Sequence, residues 1–385
     1  MAAALPSAAE VVIIGGGVMG TSIAFHLAEA GVSGIVLLEQ NQLGSGSTSK
    51  AAGGVRANFS DELNIALGAR SLEAFARFGE RPGQEIDLHR VGYLFLLSSA
   101  EQVTLFEKST RLQNAAGQPT RMIDVAEAVR LAPIVSPDGL TAACFSPDDG
   151  HCTPESVVLG YATAARRLGA TLITGCGVTG IDAMGNEIRR VRTTRGDIDT
   201  SVVICAAGAW AAGLAAMVDV DLPVTPLRRQ IVVTEPIPDL PPGLPMTIDF
   251  SSTFYFHREG PGLLIGMSDP EEQPGFLLDR SDDWLPRLTT AMEHRAPALL
   301  DVGLAGGWAG LYEVTPDHNA LIGEARGISR FLYATGFSGH GFLQGPAVGE
   351  IIRDLYLVRT PFVDISPLDA DRFRTSTLRA EQNVV

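Results

Sequence analysis

The chain contains 385 residues, of which 45% are hydrophobic and 19% are charged, and it carries a formal net charge of −15. This composition excludes a disordered or coiled-coil protein, and the length is sufficient for two or three lobes with a sizeable buried core. The acidic balance argues against non-specific binding to nucleic acid or to an anionic membrane surface, because both are negatively charged.

The first predicted element is a strand–helix–strand unit over residues 10–39. Residues 10–14 and 34–39 are short apolar runs, typical of strands that are buried on both faces. The stretch 18–30 between them has helical character and stops before Gly31, a residue type that favours the end of a helix. Two strands joined by a helix in this way predict neighbouring parallel strands of one sheet.

The turn after the first strand contains the pattern Gly15-x-Gly17-x-x-Gly20. The first glycine of such a pattern makes a tight turn, the second lets a pyrophosphate approach the backbone, and the third allows close packing of helix and strand. Glu39 closes the second strand, where a carboxylate accepts hydrogen bonds from ribose hydroxyls. The combination predicts a dinucleotide site, without deciding between NAD and FAD. The residues assigned to this part of the site are Gly15, Gly17, Val18, Met19, Gly20, Glu39 and Gln40.

A loop of small and hydroxylated residues follows at 44–54 and leads into Arg56. Such a loop allows a ligand to approach the backbone closely, although the same composition also suits a flexible surface loop. Lys50 lies in this loop and is one of two lysines in the chain, the other being Lys108. Cofactor contacts are predicted at Ser47, Thr48, Ser49, Lys50, Gly53 and Gly54.

The middle of the chain alternates between helical and strand-like segments. Helices are predicted over 61–79, within 101–132 and over 154–168, and strands over 91–97, 170–174 and 202–205, with a hairpin pattern between 181 and 203. From 223 to 308, short strands separated by Pro and Gly turns predict an antiparallel sheet, with one helix over 282–296.

Near the C-terminus a second glycine-rich segment follows a predicted strand. The strand covers 331–335, the glycine-rich turn 336–345 and a helix 346–357. A glycine-rich turn before a helix suits a second polar group of the ligand, such as the carbonyl edge of a flavin ring, and so favours FAD. Cofactor contacts are predicted at Gly336, Ser338, Gly339, His340, Gly341 and Phe342.

These elements predict an α/β fold in which a discontinuous Rossmann-type FAD-binding domain carries an inserted α+β substrate domain built on a largely antiparallel sheet. The FAD-binding domain is assigned to residues 1–85, 140–222 and 318–385, and the substrate domain to 86–139 and 223–317.

Four segments together resemble one family: residues 11–39, the loop 45–56, residues 308–323 and the turn 336–342. They are similar to the D-amino-acid oxidase (DAO) superfamily, with the sarcosine oxidase and dimethylglycine dehydrogenase group as the nearest branch, and the similarity extends nearly from end to end. The resemblance implies FAD-dependent oxidation of the C–N bond of a secondary or N-methylated amino acid, such as sarcosine, dimethylglycine or proline. Hydride would pass to flavin N5, and the resulting imine would be hydrolysed.

Five residues are predicted to act on the substrate or the flavin ring. The resemblance matches Arg56 to an arginine that pairs with a substrate carboxylate and Tyr312 to an active-site tyrosine; the alternatives are a structural ion pair and an interior tyrosine. Tyr255 and His257 share one face of a strand expected to cover the flavin, or else face solvent. His340 is expected to support the reduced flavin. The resemblance also implies cofactor contacts at Val178, Ala207, Gly208, Trp210 and Gly310.

Two departures from the family concern the attachment of the flavin. Family members with a histidyl-linked flavin carry Trp-His where this chain has Ser49 and Lys50. Members with a cysteinyl link carry Cys where it has Gly310 and Leu311. We therefore predict that FAD is bound without a covalent link.

A third departure concerns the electron acceptor. Leu264 and Leu343 stand where monomeric sarcosine oxidases use lysines, one to activate oxygen and one to bind the substrate carboxylate. A cation near the flavin lowers the barrier to superoxide formation, so its loss favours a dehydrogenase or a slow oxidase. Lys50 is the residue that offers a substitute.

Three other functions stay open at this point: a primary amino-acid oxidase of the glycine or D-amino-acid type, a catalytically silent FAD-binding assembly factor, and an NAD dehydrogenase, which would be purified colourless. The expected partners are a small amine or amino acid, oxygen or another electron acceptor, and a second copy of the chain as a homo-oligomer, but neither nucleic acid nor a membrane.

No metal site is predicted, because the four cysteines lack metal-ligand spacing. No segment reaches 18 uninterrupted apolar residues, and a cytoplasmic location is predicted. His26, His89 and His294 have no supporting pattern and are predicted to lie on the surface.

Overall fold

The computed structural model describes residues 4–375 and 380–383. The α-helices are α1 Val18–Glu29, α2 Glu62–Ala76, α3 Ala100–Ala115, α4 Val125–Leu131, α5 Pro154–Arg167, α6 Ala211–Ala215, α7 Leu285–Arg295, α8 Gly341–Tyr356 and α9 Arg372–Thr375. The strands are β1 Val11–Ile14, β2 Ile35–Leu38, β3 Gly54–Val55, β4 Tyr93–Leu97, β5 Arg121–Ile123, β6 Ala142–Ser146, β7 Gly150–His151, β8 Thr171–Ile173, β9 Val178–Met184, β10 Glu187–Thr193, β11 Gly196–Asp199, β12 Val203–Cys205, β13 Thr225–Thr234, β14 Met246–Asp249, β15 Tyr255–Glu259, β16 Gly262–Met267, β17 Leu304–Val314, β18 Leu321–Glu324 and β19 Phe331–Thr335.

One large sheet, which we call the nucleotide sheet, has six strands in the order β18-β19-β12-β1-β2-β8. β1 pairs in parallel with β2 and β12, so that Ile14 lies beside Leu38 on one side and Cys205 on the other. All residues of β1 and β2 are buried, as expected for strands covered on both faces. The arrangement confirms the predicted Rossmann-type sheet, with β18 added antiparallel at its edge.

Helices α1, α5 and α8 cover one face of the nucleotide sheet. α1 and α8 pack closely because α8 presents glycines. A Cβ at Gly345 would lie 2.7 Å from Val18 Cγ2, and a Cβ at Gly349 would lie 2.2 Å from the Ser22 hydroxyl oxygen. α8 begins at Gly341 instead of at the predicted position 346, since Gly345, which was assigned to the turn, packs against Val18 within the helix.

The prediction for His26 on α1 was wrong, while those for His89 and His294 were right. The His26 side chain is 1% exposed, and its Nδ1 lies 2.8 Å from the carbonyl oxygen of Ser22. Its ring contacts Tyr161 of α5. The packing of helices on both sides of α1 buries this position, which the polarity of the residue did not reveal.

A three-stranded antiparallel sheet, in the order β11-β10-β9, covers the other face of the nucleotide sheet. Buried Ile181, Ile188 and Val191 from this small sheet pack with Val12 and Ile14 of β1. The predicted hairpin pattern between 181 and 203 is thus confirmed, and it explains why β1 is apolar on both faces.

The second large sheet, which we call the roof sheet, has eight strands in the order β17-β13-β16-β15-β14-β4-β6-β5. β13 is antiparallel to both β16 and β17. The pairing of β14 with β4 is parallel. The predicted second domain with a largely antiparallel sheet is confirmed.

The structure corrects one predicted domain boundary. β6 pairs with β4 and β5 in the roof sheet, and its Cys144 lies beside Phe95. The boundary at residue 140 had assigned this segment to the FAD-binding domain. The short apolar run of β6 shows that it is a strand, but its partner is set by contacts with β4, far away in the sequence.

Candidate cofactor and active site

A cavity of about 480 Å³ lies between the nucleotide sheet and the roof sheet. This volume falls in the range of small-molecule binding pockets. The β1–α1 turn, the loop 46–56, strands β13, β15 and β17, and the first turn of α8 all contribute to its lining. Segments from the two ends of the chain and from its middle therefore meet at one site.

The β1–α1 turn requires its glycines. Gly15 has φ +111°, and a Cβ there would lie 2.3 Å from the carbonyl oxygen of Ala206. A Cβ at Gly20 would lie 1.9 Å from the carbonyl oxygen of Gly15. The Val18 N–H at the start of α1 donates to Thr48 Oγ1 over 3.1 Å. The turn can adopt this shape only with glycine, which agrees with the nucleotide fingerprint.

The Glu39 carboxylate lies beside this turn at the end of β2. One of its oxygens accepts a hydrogen bond from Gly16 N over 2.7 Å, and the other accepts from Asn41 N over 2.8 Å. Glu39 and Gln40 both line the cavity. The carboxylate thus braces the turn and faces the position where a ribose would lie in a dinucleotide site.

The loop 46–56 is attached to β17. The Ser47 hydroxyl donates to the carbonyl oxygen of Leu311 over 2.7 Å, and Trp308 Nε1 donates to the carbonyl oxygen of Lys50 over 3.0 Å. The stem of Lys50 occupies space beside Gly310, where a Cβ would approach Lys50 Cβ to 2.5 Å. The alternative of a flexible surface loop therefore does not describe this segment.

Most of the predicted cofactor residues line the cavity: Gly15, Gly17, Val18, Met19, Glu39, Gln40, Ser47, Thr48, Lys50, Gly53, Gly54, Val178, Ala207, Gly208, Trp210, Gly310, Gly339, His340, Gly341 and Phe342. The lining does not include Gly20, Ser49, Gly336 or Ser338. Gly20 lies behind the turn as a packing residue, and Gly336 donates its N–H to the side chain of Glu313.

Glu313 is a buried acidic residue that the sequence analysis did not single out. Its carboxylate accepts from the Thr335 hydroxyl over 2.7 Å and from Gly336 N over 3.0 Å. Burial raises the pKa of this carboxyl. Glu313 thus connects β17 to the glycine-rich turn. The sequence could have indicated this residue, because it is an acidic residue near the end of a segment that resembles the family.

Three tyrosines face the cavity from the roof sheet: Tyr93, Tyr255 and Tyr312. The ring of Tyr255 lies over Gly266, where a Cβ would come within 2.2 Å of its hydroxyl oxygen. Burial raises the pKa of each phenol, so all three stay neutral at ordinary pH. Tyr93 was not predicted, because its strand β4 pairs with β14 from the distant second half of the chain.

Arg56 and His340 form a buried pair at the cavity wall. Arg56 Nη2 lies 3.1 Å from His340 Nε2 and also donates to the carbonyl oxygen of Asn383 over 2.8 Å. Burial and the neighbouring guanidinium hold the pKa of His340 well below its usual range. The imidazole is therefore neutral and accepts the hydrogen bond from Arg56.

His257 is not part of the cavity lining. Its Nε2 contacts the carbonyl oxygen of Ala52 and its Nδ1 that of Arg258, both at 2.8 Å. The centroid of its ring lies 4.2 Å from that of the tilted His151 ring. The predicted contact with substrate stays a prediction, and the structure places His257 outside the cavity lining, against the loop residue Ala52. The alternative of a solvent-exposed face was wrong, since the side chain is 2% exposed.

Arg229 on β13 also lines the cavity and was not predicted. Its Cζ lies 5.2 Å from the centroid of the Tyr312 ring. In the sequence Arg229 lies in the stretch 223–308, which is predicted to form short strands, and no motif marks it as a site residue. Only the pairing of β13 with β17 places its guanidinium beside Tyr312.

The chain is similar to several known proteins in sequence and in fold. "Dimethylglycine dehydrogenase, mitochondrial" of Rattus norvegicus is 30% identical over 385 residues, covering 95% of this chain and 45% of that protein. "Sarcosine dehydrogenase, mitochondrial" of Homo sapiens is 31% identical over 390 residues, covering 97% of this chain and 42% of that protein. The crystal structure of L-proline dehydrogenase from P. horikoshii is 34% identical with a TM-score of 0.91, covering 97% of this chain and 100% of that one.

The chain spans less than half the length of the two curated relatives and the whole length of the proline dehydrogenase chain. Residues 10–355 match the family described as "FAD dependent oxidoreductase" (DAO). That match includes both glycine-rich turns and every roof residue described above. The chain therefore belongs to the DAO family of FAD-dependent oxidoreductases.

Proposed function

We propose that this protein oxidises the C–N bond of a secondary or N-methylated amino acid, with FAD held without a covalent link. The observation that carries the proposal is the continuity of the cavity, which runs from the nucleotide turn of β1–α1 to a roof of tyrosine and arginine side chains. The similarity to proteins named dimethylglycine, sarcosine and proline dehydrogenase supports this substrate class.

The residues of the cavity fit FAD. The crowded glycines at 15 and 20 leave room for a pyrophosphate against the start of α1, and Glu39 stands beside a ribose position. The loop 47–54 and the turn ending at Phe342 would hold the ring end of the cofactor. When bound, FAD supplies the acceptor for the hydride that leaves the substrate carbon.

The roof has the polarity that an amino-acid substrate needs. Two guanidinium groups, those of Arg56 and Arg229, line the cavity near the tyrosines and attract a carboxylate. An amine releases hydride from the adjacent carbon only when its lone pair is free. A buried pocket lined by neutral phenols and a neutral imidazole favours this uncharged form, since burial disfavours an ammonium ion.

Anaerobic reduction of the flavin with a panel of amines tests the proposal. We expect sarcosine, dimethylglycine or proline to bleach the absorbance of the bound flavin, and glycine and D-alanine to act far more slowly. Faster reduction by glycine or D-alanine would favour a primary amino-acid oxidase. A flavin that stays oxidised with every amine would contradict an enzymatic role, and a colourless protein that does not take up FAD would contradict the cofactor.

A further inference from the structure

Two arginines face the substrate side of the cavity, and most donors of the first are already occupied. Arg56 donates to the carbonyl oxygens of Asn58 and Asn383 and to Nε2 of His340. Its Cζ also lies 4.4 Å from the centroid of the Phe59 ring. The protein therefore fixes the plane of this guanidinium and uses its N–H groups as structural donors.

The second arginine, Arg229, has N–H donors that are not occupied by a hydrogen-bond acceptor. Among the residues that the structure describes, it makes one hydrogen bond, from Nη1 to the carbonyl oxygen of Arg228 over 3.2 Å. Its Nε is buried and has no hydrogen-bond partner. A buried N–H without an acceptor costs free energy, and a ligand that brings an acceptor recovers it.

The carboxylates near Arg229 form ion pairs with other arginines. Asp269 accepts from Arg287 Nε over 2.9 Å and from Arg287 Nη2 over 2.8 Å. Glu272 pairs with Arg228 over 2.8 Å. Within residues 4–375 and 380–383, no carboxylate oxygen lies within 4.0 Å of a nitrogen of Arg229. Its positive charge is thus left for an anion that enters the cavity.

The surroundings of Arg229 hold it in place. It pairs across the sheet with Gly310, which has no side chain to block it. Its Cζ lies 5.2 Å from the Tyr312 ring centroid, a cation–π contact. Tyr255, which lies over Gly266, is the other phenol close enough for the charge of Arg229 to influence it. A carboxylate bound by the guanidinium would lie among neutral hydroxyl donors.

We propose that Arg229, rather than Arg56, binds the substrate carboxylate, and that Arg56 is a positioning residue that holds His340 at the cavity wall and anchors the segment 380–383 through the carbonyl oxygen of Asn383. The inference rests on the proposed function for the oxidisable amine. It goes further by naming the residue that selects free acids over amides and esters of the same amine.

The test uses the FAD-bound protein and a ligand that cannot be oxidised. Cyclopentanecarboxylate has the shape of proline but lacks nitrogen, and cyclopentanecarboxamide is its uncharged counterpart. Titration is followed by the change in flavin absorbance, so that no turnover is needed. In Arg229→Gln we expect the Kd of the acid to rise about 100-fold, and that of the amide by less than about threefold, because two charge-assisted hydrogen bonds are lost.

Three further variants complete the test. Arg56→Gln should change the Kd of acid and amide by the same factor. Arg228→Gln is the matched control, because it removes a charge at the neighbouring residue, which pairs with Glu272 and lies outside the cavity lining. In this variant the Kd values of the acid and of the amide should both stay within twofold of wild type. Arg229→Lys keeps the positive charge but lacks the planar guanidinium that can donate two hydrogen bonds to a carboxylate. It should raise the Kd of the acid about tenfold. If the Arg229→Gln variant loses its flavin, the Arg229→Lys variant takes its place in the test.

Selective loss of acid binding in the Arg56 variant, with unchanged binding in the Arg229 variants, would overturn the inference. So would a wild-type protein that binds acid and amide equally well. If no amine reduces the wild-type flavin while acid binding still depends on Arg229, the proposed function fails and the assignment of Arg229 stands.

Discussion

At the scale of single residues, burial decides which groups of the site carry charge. Burial raises the pKa of Tyr255 and Tyr312 and lowers that of His340, so the two phenols and the imidazole are neutral near pH 7. Arg56 keeps its charge and shares it with carbonyl oxygens and His340. The sequence identifies two of these four residues, Arg56 and Tyr312, through a resemblance, but the protonation of all four follows from the folded surroundings.

Asp149 provides a pH-dependent prediction at this scale. Burial raises its pKa from 3.8 to about 7, and one of its carboxylate oxygens has no hydrogen-bond partner. A carboxyl with a raised pKa in the folded state binds its proton more tightly there, so stability falls as pH rises from about 4 to about 7. In Asp149→Asn this loss disappears, and the free energy of unfolding relative to wild type should increase between pH 5 and pH 8, by at most about 3 kcal/mol.

Chemical denaturation at both pH values measures the difference. Asp182→Asn is the matched control, because this carboxylate is 44% exposed, pairs with Arg192 at the surface and is not among the charges that raise the pKa of Asp149. Its effect should be the same at pH 5 and pH 8. An Asp149→Asn variant whose relative stability does not change with pH would show that the carboxyl is ionised throughout.

At the scale of elements, close approach of backbones explains the glycines that the motifs contain. The spacing of its glycines made the β1–α1 turn recognisable. In the structure a backbone carbonyl oxygen lies so close to Gly15 and to Gly20 that a Cβ atom has no room at either position. α8 shows the opposite case. Gly345 suggested part of a turn, yet it packs against Val18 of α1 within a helix, since tertiary contact overrides the propensity of the residue.

The turn gives the second prediction. Gly15→Ala should abolish FAD binding and lower the melting temperature strongly, because its Cβ would lie 2.3 Å from the Ala206 carbonyl oxygen. Gly31→Ala is the control, since Gly31 also has a positive φ, of +86°, but no atom within 4 Å of the added Cβ. The control should cost only about 1–2 kcal/mol of backbone strain and keep its flavin. Flavin content and thermal melting of the two proteins measure this, and equal losses would contradict the packing argument.

At the scale of the whole molecule, the site exists because the two large sheets close on one cavity. The hydrogen bond from Ser47 to Leu311 joins residues 264 positions apart and holds the loop under the roof sheet. In the part of the chain that the structure describes, no helix combines the length and apolar character needed to cross a bilayer. The cytoplasmic location stays a prediction, since the two relatives carry the word mitochondrial in their names.

Attachment of the cofactor is a property of the whole site. Lys50 and Leu311 stand at the two positions where family members with linked flavins carry histidine and cysteine. We expect acid precipitation to leave all flavin in the supernatant, as measured by absorbance of pellet and supernatant. Yellow colour that stays with the precipitated protein would contradict a non-covalent cofactor.

The electron acceptor also depends on the complete cavity. Leu264 and Leu343 are buried, and the one lysine in the cavity lining is Lys50, held beside Gly310. Because oxygen activation is favoured by a cation near the flavin, turnover with an artificial dye should exceed turnover with oxygen by about tenfold or more. Steady-state assays with both acceptors check this, and hydrogen peroxide formed as fast as the dye is reduced would be the contrary result.

The sequence by itself determined the parallel strand–helix–strand unit, the glycine turn with Glu39 and the antiparallel second sheet, because these depend on local spacing and apolar periodicity. The family followed from the resemblance of four segments. The sequence also named Arg56, Tyr255, Tyr312 and His340. Only the tertiary structure decided that β6 joins the roof sheet, that His257 packs on Ala52 and that Arg229 faces the cavity with free donors. Strand pairing between distant segments sets these neighbours, and a linear pattern predicts the pairing of strands that are close in the sequence but not of strands that are far apart.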